Sequence, residues 1–413
     1  MLLLVVAVEL ALARGFTRNP ALAALWLALL LVGWGAMLGR LIASPASARS
    51  AASEGMRSTR RRVLLAIVGG SLGVAASAWG LTSLLRGPRR VSGAGQPLPE
   101  TVPATPPPAT PRPDAAGAGG EPAPGTRPVI TPTDEFYRID INLRPVAVDG
   151  DGWALEADGL FASPRSLTLA DLMAFPPVTQ AITLACISNP VGGDLIGTAY
   201  WTGLRLRDLI DDFGLLPEAR SLRVEAADGF YETVTMEDML DPRTLLVYGM
   251  NGTTLPVAHG YPLRMLIPNR YGMKQPKWIT RLSAVAEPEP GYWVARGWSQ
   301  EARPNITAII DTVAVEQAFG GNVPVGGIAW EGGVPVTAVQ VRVNDGDWND
   351  ATVLRPPVSP LTWVQWRYDW PAQPGRHTLS VRAIDAQGEV QTGVPSDPHP
   401  SGATGYHTVV ATV

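Results

Sequence analysis

The sequence predicts an α+β domain followed by an all-β domain of immunoglobulin type, with transmembrane helices ahead of both. Three observations carry this reading. Two uncharged apolar runs lie within residues 1–86. Strand-like runs alternate with short capped helical segments over residues 134–298. Strand-like runs at close spacing fill residues 299–413.

Residues 21–39 carry no charge and belong to a span placed at 21–42, and 63–85 form a second span. Each is long enough to cross a bilayer. Residues 1–14 read as a partial span. Arg57, Arg60, Arg61 and Arg62 lie between the two complete spans. Such loops stay cytoplasmic, so the chain after Leu85 is expected outside: a multi-pass protein of the cell membrane with its globular part extracytoplasmic. Arg86, Arg89 and Arg90 weaken that asymmetry without reversing it. Thr59-Arg60-Arg61-Arg62-Val63-Leu64 also resembles a twin-arginine export signal, a route for folded, cofactor-loaded proteins. No histidine precedes His259, so the spans hold no haem ligand of that type and read as an anchor.

Residues 87–133 are rich in Pro, Gly, Ala and Thr and are expected to be an extended spacer. In the α+β part, Thr168 with Asp171 three residues on is a capping-box signal. Leu204, Leu206, Leu209 and Ile210 make one apolar helical face that Gly214 ends. Thr235 with Asp238 caps another short helix, closed by Pro242. Strands are expected at 222–225, 244–248, 264–268 and 278–286. In the last part, strands are expected at 306–314, 326–330, 337–344, 363–368, 377–383 and 406–410, with turns at 344–347 and 385–388. This pattern suggests a two-sheet sandwich without the antibody disulfide, its tryptophans supplying core.

The formal net charge of −4 gives no sign of a nucleic-acid partner. Cys186 is the single cysteine, so no internal disulfide can form. It ends an apolar run and precedes Ser188-Asn189-Pro190 and a Gly192-Gly193-Asp194 turn. That placement suits a metal ligand or a nucleophile, although free cysteine is often simply a small core residue. No CxxC, HExxH or CxxCH spacing occurs, which leaves zinc, iron–sulfur and covalent haem unsupported. A Cys186–His259 hydrolase dyad lacks a local signature. The remaining possibility is a cofactor that brings most of its own ligands and takes one sulfur from the protein.

Several blocks together resemble the sulfite oxidase family of molybdopterin enzymes, over both globular domains. They are Phe136-Tyr137-Arg138-Ile139-Asp140, the Cys186 block continuing to Trp201-Thr202-Gly203-Leu204-Arg205, and His259-Gly260-Tyr261-Pro262-Leu263-Arg264. Asn269-Arg270-Tyr271-Gly272-Met273-Lys274-Gln275-Pro276-Lys277-Trp278 and Gly326-Gly327-Ile328-Ala329-Trp330 follow in the family's order.

The resemblance implies a molybdenum-molybdopterin cofactor with Cys186 as the metal's thiolate ligand. A soft thiolate suits such a centre. It further implies that Arg264 and Lys277 serve the pterin phosphate, that Gln275 and Pro276 offer backbone contacts, and that His259 touches the pterin. Tyr137, Arg138 and Asp140 would line the cofactor's other side, Thr233 would lie near it, and Trp201 would pack beneath the site. Arg138 and Tyr292 are candidate catalytic residues.

The implied reaction is oxygen-atom transfer to or from a small substrate, with an external electron carrier such as a cytochrome or a quinone-linked protein. The β domain matches the family's dimerisation domain, which makes a homodimer possible.

One departure stands out. Sulfite oxidases carry an Asn-Arg-Arg run after the cysteine, whereas here Asn189 is followed by Pro190 and Val191. A dianion needs several cationic donors, so an S-oxide or N-oxide fits as well as sulfite, unless Arg138 and Arg270 compensate. A reading of another class is a surface binding protein that keeps the fold without the cofactor.

Overall fold

The structure, a computed structural model, describes residues 91–99, 120–354 and 358–413, all in the unit Arg90–Val413. The spans expected at 1–14, 21–42 and 63–85 lie outside the described residues. Among those described, no helix is long and apolar enough to cross a membrane.

The α+β part runs β1 (Ala154–Gly159), β2 (Arg165–Thr168), α1 (Leu169–Met173), β3 (Val178–Ala185), β4 (Ile196–Arg205), α2 (Leu206–Phe213), β5 (Ser221–Ala226) and β6 (Tyr231–Thr235). It continues through α3 (Met236–Leu240), β7 (Leu245–Met250), β8 (Thr253–Thr254), β9 (Arg264–Leu266) and β10 (Ile279–Val285).

Helix starts follow local chemistry. The Thr168 side chain accepts from the Asp171 N–H, and the Asp171 carboxylate reaches back to the Thr168 N–H. Thr235 caps α3 by accepting from the Asp238 N–H. Gly214 ends α2 at φ 70°.

Two sheets form. One has the order β2-β1-β10-β5-β6; the other is β3-β4-β7-β8, with β9 added on β7. Leu206, Leu209, Ile210 and Phe213 of α2 are buried in the core that holds the sheets together, whereas Leu204, expected on the same helical face, lies on β4 because the strand runs on to Arg205. Each such side chain contributes about 1.5–3 kcal/mol of apolar burial.

The C-terminal part runs β11 (Thr307–Val313), β12 (Asn322–Trp330), β13 (Val336–Val343), β14 (Trp348–Leu354), β15 (Val364–Pro371), β16 (Arg376–Asp385) and β17 (His407–Thr412). These do not form two separate sheets. They join in one antiparallel seven-stranded path, β11-β12-β15-β14-β13-β16-β17. The joint is β14, which the sequence pattern did not reveal. It pairs with β13 at Val339–Ala351 and with β15 at Val353–Trp366. The sheet curls until β11 packs on β16 and β17 around Val325, Val339, Val341, Trp366, Leu379 and Val381.

A second difference concerns the expected spacer. In its described parts it lies on the body. Pro97 bridges to Thr253, and the Thr254 N–H donates to the Gln96 carbonyl at 2.7 Å. Ala123 is buried, Arg127 pairs with Asp311 at 2.6 Å, and the Thr131 N–H donates to the Thr198 carbonyl at 2.8 Å. Gly326 permits this crossing, since a Cβ there would meet Ala123 Cβ at 2.7 Å. Pro- and Gly-rich chain cannot build a core of its own, but it can line one whose edges satisfy its backbone.

The two parts meet through an apolar cluster of Ala185, Ile187, Ile196, Tyr271, Met273, Trp330 and Trp363. The Trp363 N–H donates to Thr183 Oγ1 at 2.9 Å across this seam. Cys186 follows directly from β3 at its edge.

Candidate active site

A strand ends where its ladder ends. Cys186 still donates its N–H to the Leu195 carbonyl at 2.9 Å, and its own carbonyl accepts from the Asn189 N–H at 3.0 Å. These bonds turn the chain sharply and fix the thiol. Cys186 is only 8% exposed, and it lines a cavity of about 300 Å³. Ser188 Oγ lies 2.9 Å from the sulfur. A hydroxyl there can donate to a thiolate and hold its charge.

Seven expected residues line this cavity: Tyr137, Asp140, Cys186, Arg264, Gln275, Pro276 and Lys277. Arg264 is 6% exposed on β9. Its guanidinium lies 5.0 Å from the Trp201 ring and donates weakly to the His259 carbonyl at 3.5 Å. Its Nε is buried with no partner. Burial pulls its pKa down to about 10. Lys277 pairs with Asp140 and donates to the Ile139 carbonyl at 3.3 Å. Burial, and next the Arg264 charge, pull Lys277 down to about 8. Burial pushes the Tyr137 phenol far up, the Cys186 charge adds to this, and Arg264 opposes it. Gln275 donates to the Ile267 and Arg270 carbonyls, while its Oε1 is buried without a partner.

Four expected residues do not line the cavity. Arg138 is an exposed side chain paired with Asp140 at 3.4 Å. Thr233 sits on β6 with its hydroxyl donating to the Glu289 carbonyl at 2.5 Å, so it is held by the sheet and not by the site. His259 is buried behind the wall, its Nε2 3.1 Å from the Thr133 carbonyl. Tyr292 stacks under Arg296 at 3.5 Å, and its neighbour Trp293 takes the place in the lining.

Arg270, suggested as a compensating cation, is spent elsewhere. Its guanidinium grips both oxygens of Asp238 at 3.1 Å. Trp201, fully buried beneath Arg264, packs as expected.

The sequence reading missed Ser188, Asp228, Phe230, Met273, Trp293 and Trp298, all in the lining. The Asp228-Gly229-Phe230 turn between β5 and β6 carried a usable signal, a side-chain oxygen accepting from the N–H two residues on. Trp293 was one position from the residue chosen.

Residues 142–293 match the oxidoreductase molybdopterin binding domain. The chain is 26% identical over 281 residues to sulfite oxidase of Arabidopsis thaliana, covering 55% of this chain and 71% of that protein. Residues 142–293 thus carry the molybdopterin-binding domain of this oxidoreductase family, and the chain is similar to sulfite oxidases beyond it. It is an enzyme, and its cofactor is molybdenum-molybdopterin. It is also 30% identical over 174 residues to a YedZ1 subunit of Azospira oryzae, covering 42% of this chain and 63% of that protein. The Azospira protein's name associates it with protein-methionine-sulfoxide reduction. The fold is shared with the sulfane dehydrogenase SoxCD of Paracoccus pantotrophus at a TM-score of 0.61 and 21% identity, covering 69% of this chain and 82% of that one.

The cavity fits the cofactor. Its donor set is one thiol, two buried cations and an amide. Arg264 Nε and Gln275 Oε1 are orphaned polar atoms of the kind a phosphate and a pterin edge satisfy. Gly272 keeps the wall close, since a Cβ there would meet Tyr137 Oη at 2.8 Å.

Proposed function

We propose that this enzyme removes an oxygen atom from a neutral S-oxide or N-oxide, using electrons from an external carrier. The observation that carries the proposal is the charge inventory of the cavity. Among the described residues lining it, the cations are Arg264 and Lys277, and the cofactor's phosphate needs both. Arg270 is locked by Asp238, Arg138 lies outside the lining, and Pro190 and Val191 stand where the family carries arginine. A dianion such as sulfite would face Asp140 and Asp228 without a cation of its own. A neutral oxide needs apolar room for its substituents, which Ile187, Phe230, Met273, Trp293 and Trp298 supply. The name of the Azospira relative agrees with this direction.

In the net reaction the S–O or N–O bond breaks, sulfur or nitrogen takes two electrons, and the oxygen leaves as water with two protons. When bound, the cofactor supplies the exchange of an oxygen atom for two electrons. Cys186 holds the metal, Ser188 steadies the sulfur's charge, and Arg264 and Lys277 grip the phosphate end. The electrons come from a cytochrome or a quinone-linked protein. The apolar spans of residues 1–86 anchor the enzyme in the cell membrane, with the catalytic part outside the cytoplasm. A homodimer through the β part is compatible with this placement.

A redox-dye assay comparing sulfite, methionine sulfoxide and trimethylamine N-oxide tests the proposal. Turnover of an oxide is expected; turnover of sulfite alone would overturn it. Cys186→Ser should abolish turnover and leave the thermal melt nearly unchanged. Activity surviving that change would remove the ligand assignment.

A further inference from the structure

Behind the cavity wall lies a second polar feature that the reaction itself does not use. Lys274 sits within the turn Gly272–Lys274, whose neighbours Gly272, Met273, Gln275 and Pro276 all line the cavity. Lys274 does not. It points the other way, is 6% exposed, and donates to Glu232 Oε1 on β6 at 2.6 Å. Glu232 is fully buried. The same Oε1 accepts the Thr233 N–H at 2.9 Å, and Oε2 is buried with no partner. Four residues earlier on the same segment, Arg270 grips buried Asp238 of α3. Two cations and two carboxylates therefore fasten this segment to β6 and α3 from behind.

Glu232 also touches the opposite wall. A Cβ on Gly291 would lie 2.0 Å from Glu232 Oε1, so the backbone leading to Trp293 rests directly on this carboxylate. The Tyr292 N–H donates to the Tyr231 carbonyl at 3.0 Å and stitches that backbone to the same strand. One carboxylate thus underlies both the Gln275–Pro276 wall and the Trp293 wall.

A buried ion pair is a poor way to gain stability, because apolar residues of equal volume serve as well or better. What it provides is a fixed direction and length. We infer that Glu232 and Lys274 are positioning residues that set the spacing between the cofactor-facing wall and the aromatic wall of the Cys186 cavity. The inference rests on the cavity holding the cofactor, and its substrate-facing half rests on the proposed oxide reduction.

The test compares the full chain with Lys274→Met, Lys274→Arg and the double change Glu232→Leu with Lys274→Met. The double change removes both charges at similar volume and should keep the melting temperature near the parent's. Positioning predicts that it nevertheless lowers molybdenum affinity by roughly tenfold to a hundredfold. It also predicts an altered Mo(V) electron-paramagnetic signal and a raised KM at a smaller change in kcat. Lys274→Arg should recover most of the loss.

A further readout needs neither metal nor substrate. Cys186 is the single cysteine, so its alkylation rate in metal-free full chain reports on the cavity directly. That rate should rise about tenfold in the double variant as local opening becomes easier. Parental metal content, spectrum and alkylation rate in a stably folded double variant would overturn the inference. An unchanged KM alongside altered metal loading and alkylation would overturn the substrate-facing half of the inference, whereas turnover of sulfite alone would count against the substrate reading and leave the cofactor-facing half standing.

Discussion

His259 offers a measurable consequence of the wall behind the Cys186 cavity. Its ring is 5% exposed, and its Nε2 lies 3.1 Å from the Thr133 carbonyl. A carbonyl only accepts, so Nε2 carries a proton, and the lowered pKa leaves the other ring nitrogen unprotonated near neutral pH. Burial, and next the Arg264 charge, lower its pKa from 6.5 to about 4. Between those values the unfolded chain binds more protons than the folded one, so stability falls as pH drops through this window. The whole window corresponds to about 3 kcal/mol, and the step from about pH 7 to about pH 5 to about 2 kcal/mol.

His259→Gln keeps an amide donor for the Thr133 carbonyl and cannot titrate. Urea unfolding of parent and variant, followed by tryptophan fluorescence at the two pH values, isolates the contribution because other titrating groups are common to both. The parent should lose about 2 kcal/mol more than the variant on acidification. Parallel losses would falsify the buried neutral histidine.

Other expectations follow from the same geometry. Lys277, held down to about 8 by burial and Arg264, should lose its grip on a phosphate as pH rises through that value. Molybdenum content after alkaline incubation should fall accordingly, and Lys277→Arg should move the loss to higher pH. Its stability effect runs the opposite way, since a lowered lysine pKa makes the fold gain stability from about 8 up to 10.5. Glu331 is pushed up to about 8 by burial and then by the Asp385 and Glu389 carboxylates. The fold keeps this proton while the unfolded chain releases it near 4.5, so the parent loses stability as pH rises across that range. Glu331→Gln should flatten that decline in thermal melts taken along a pH series.

Much of the fold was legible because its signals are local. The Thr168–Asp171 box, the Thr235 cap and the α2 face each depend on residues within a few positions of one another. The missed strand β14, by contrast, carries Asn349 and Asp350 and no fully buried residue, so alternation was weak and only pairing with β13 and β15 defines it. The 87–133 segment shows the same limit. Its composition says nothing of a surface that another part of the chain provides, against which its described residues lie.

The sequence by itself determined the groups on offer: one thiol at a strand end before a turn, two cations at Arg264 and Lys277, and blocks whose order resembles that of a molybdopterin family. Tertiary structure decided how those charges are spent. Arg270 and Lys277 look alike in the chain, yet Arg270 is closed off by Asp238 while Lys277 faces the cavity. Tyr292 and Trp293 are neighbours, yet only Trp293 enters the lining. Partners of a buried charge come from any distance along the chain, and Coulomb energy in a poorly solvated interior depends on separation in space.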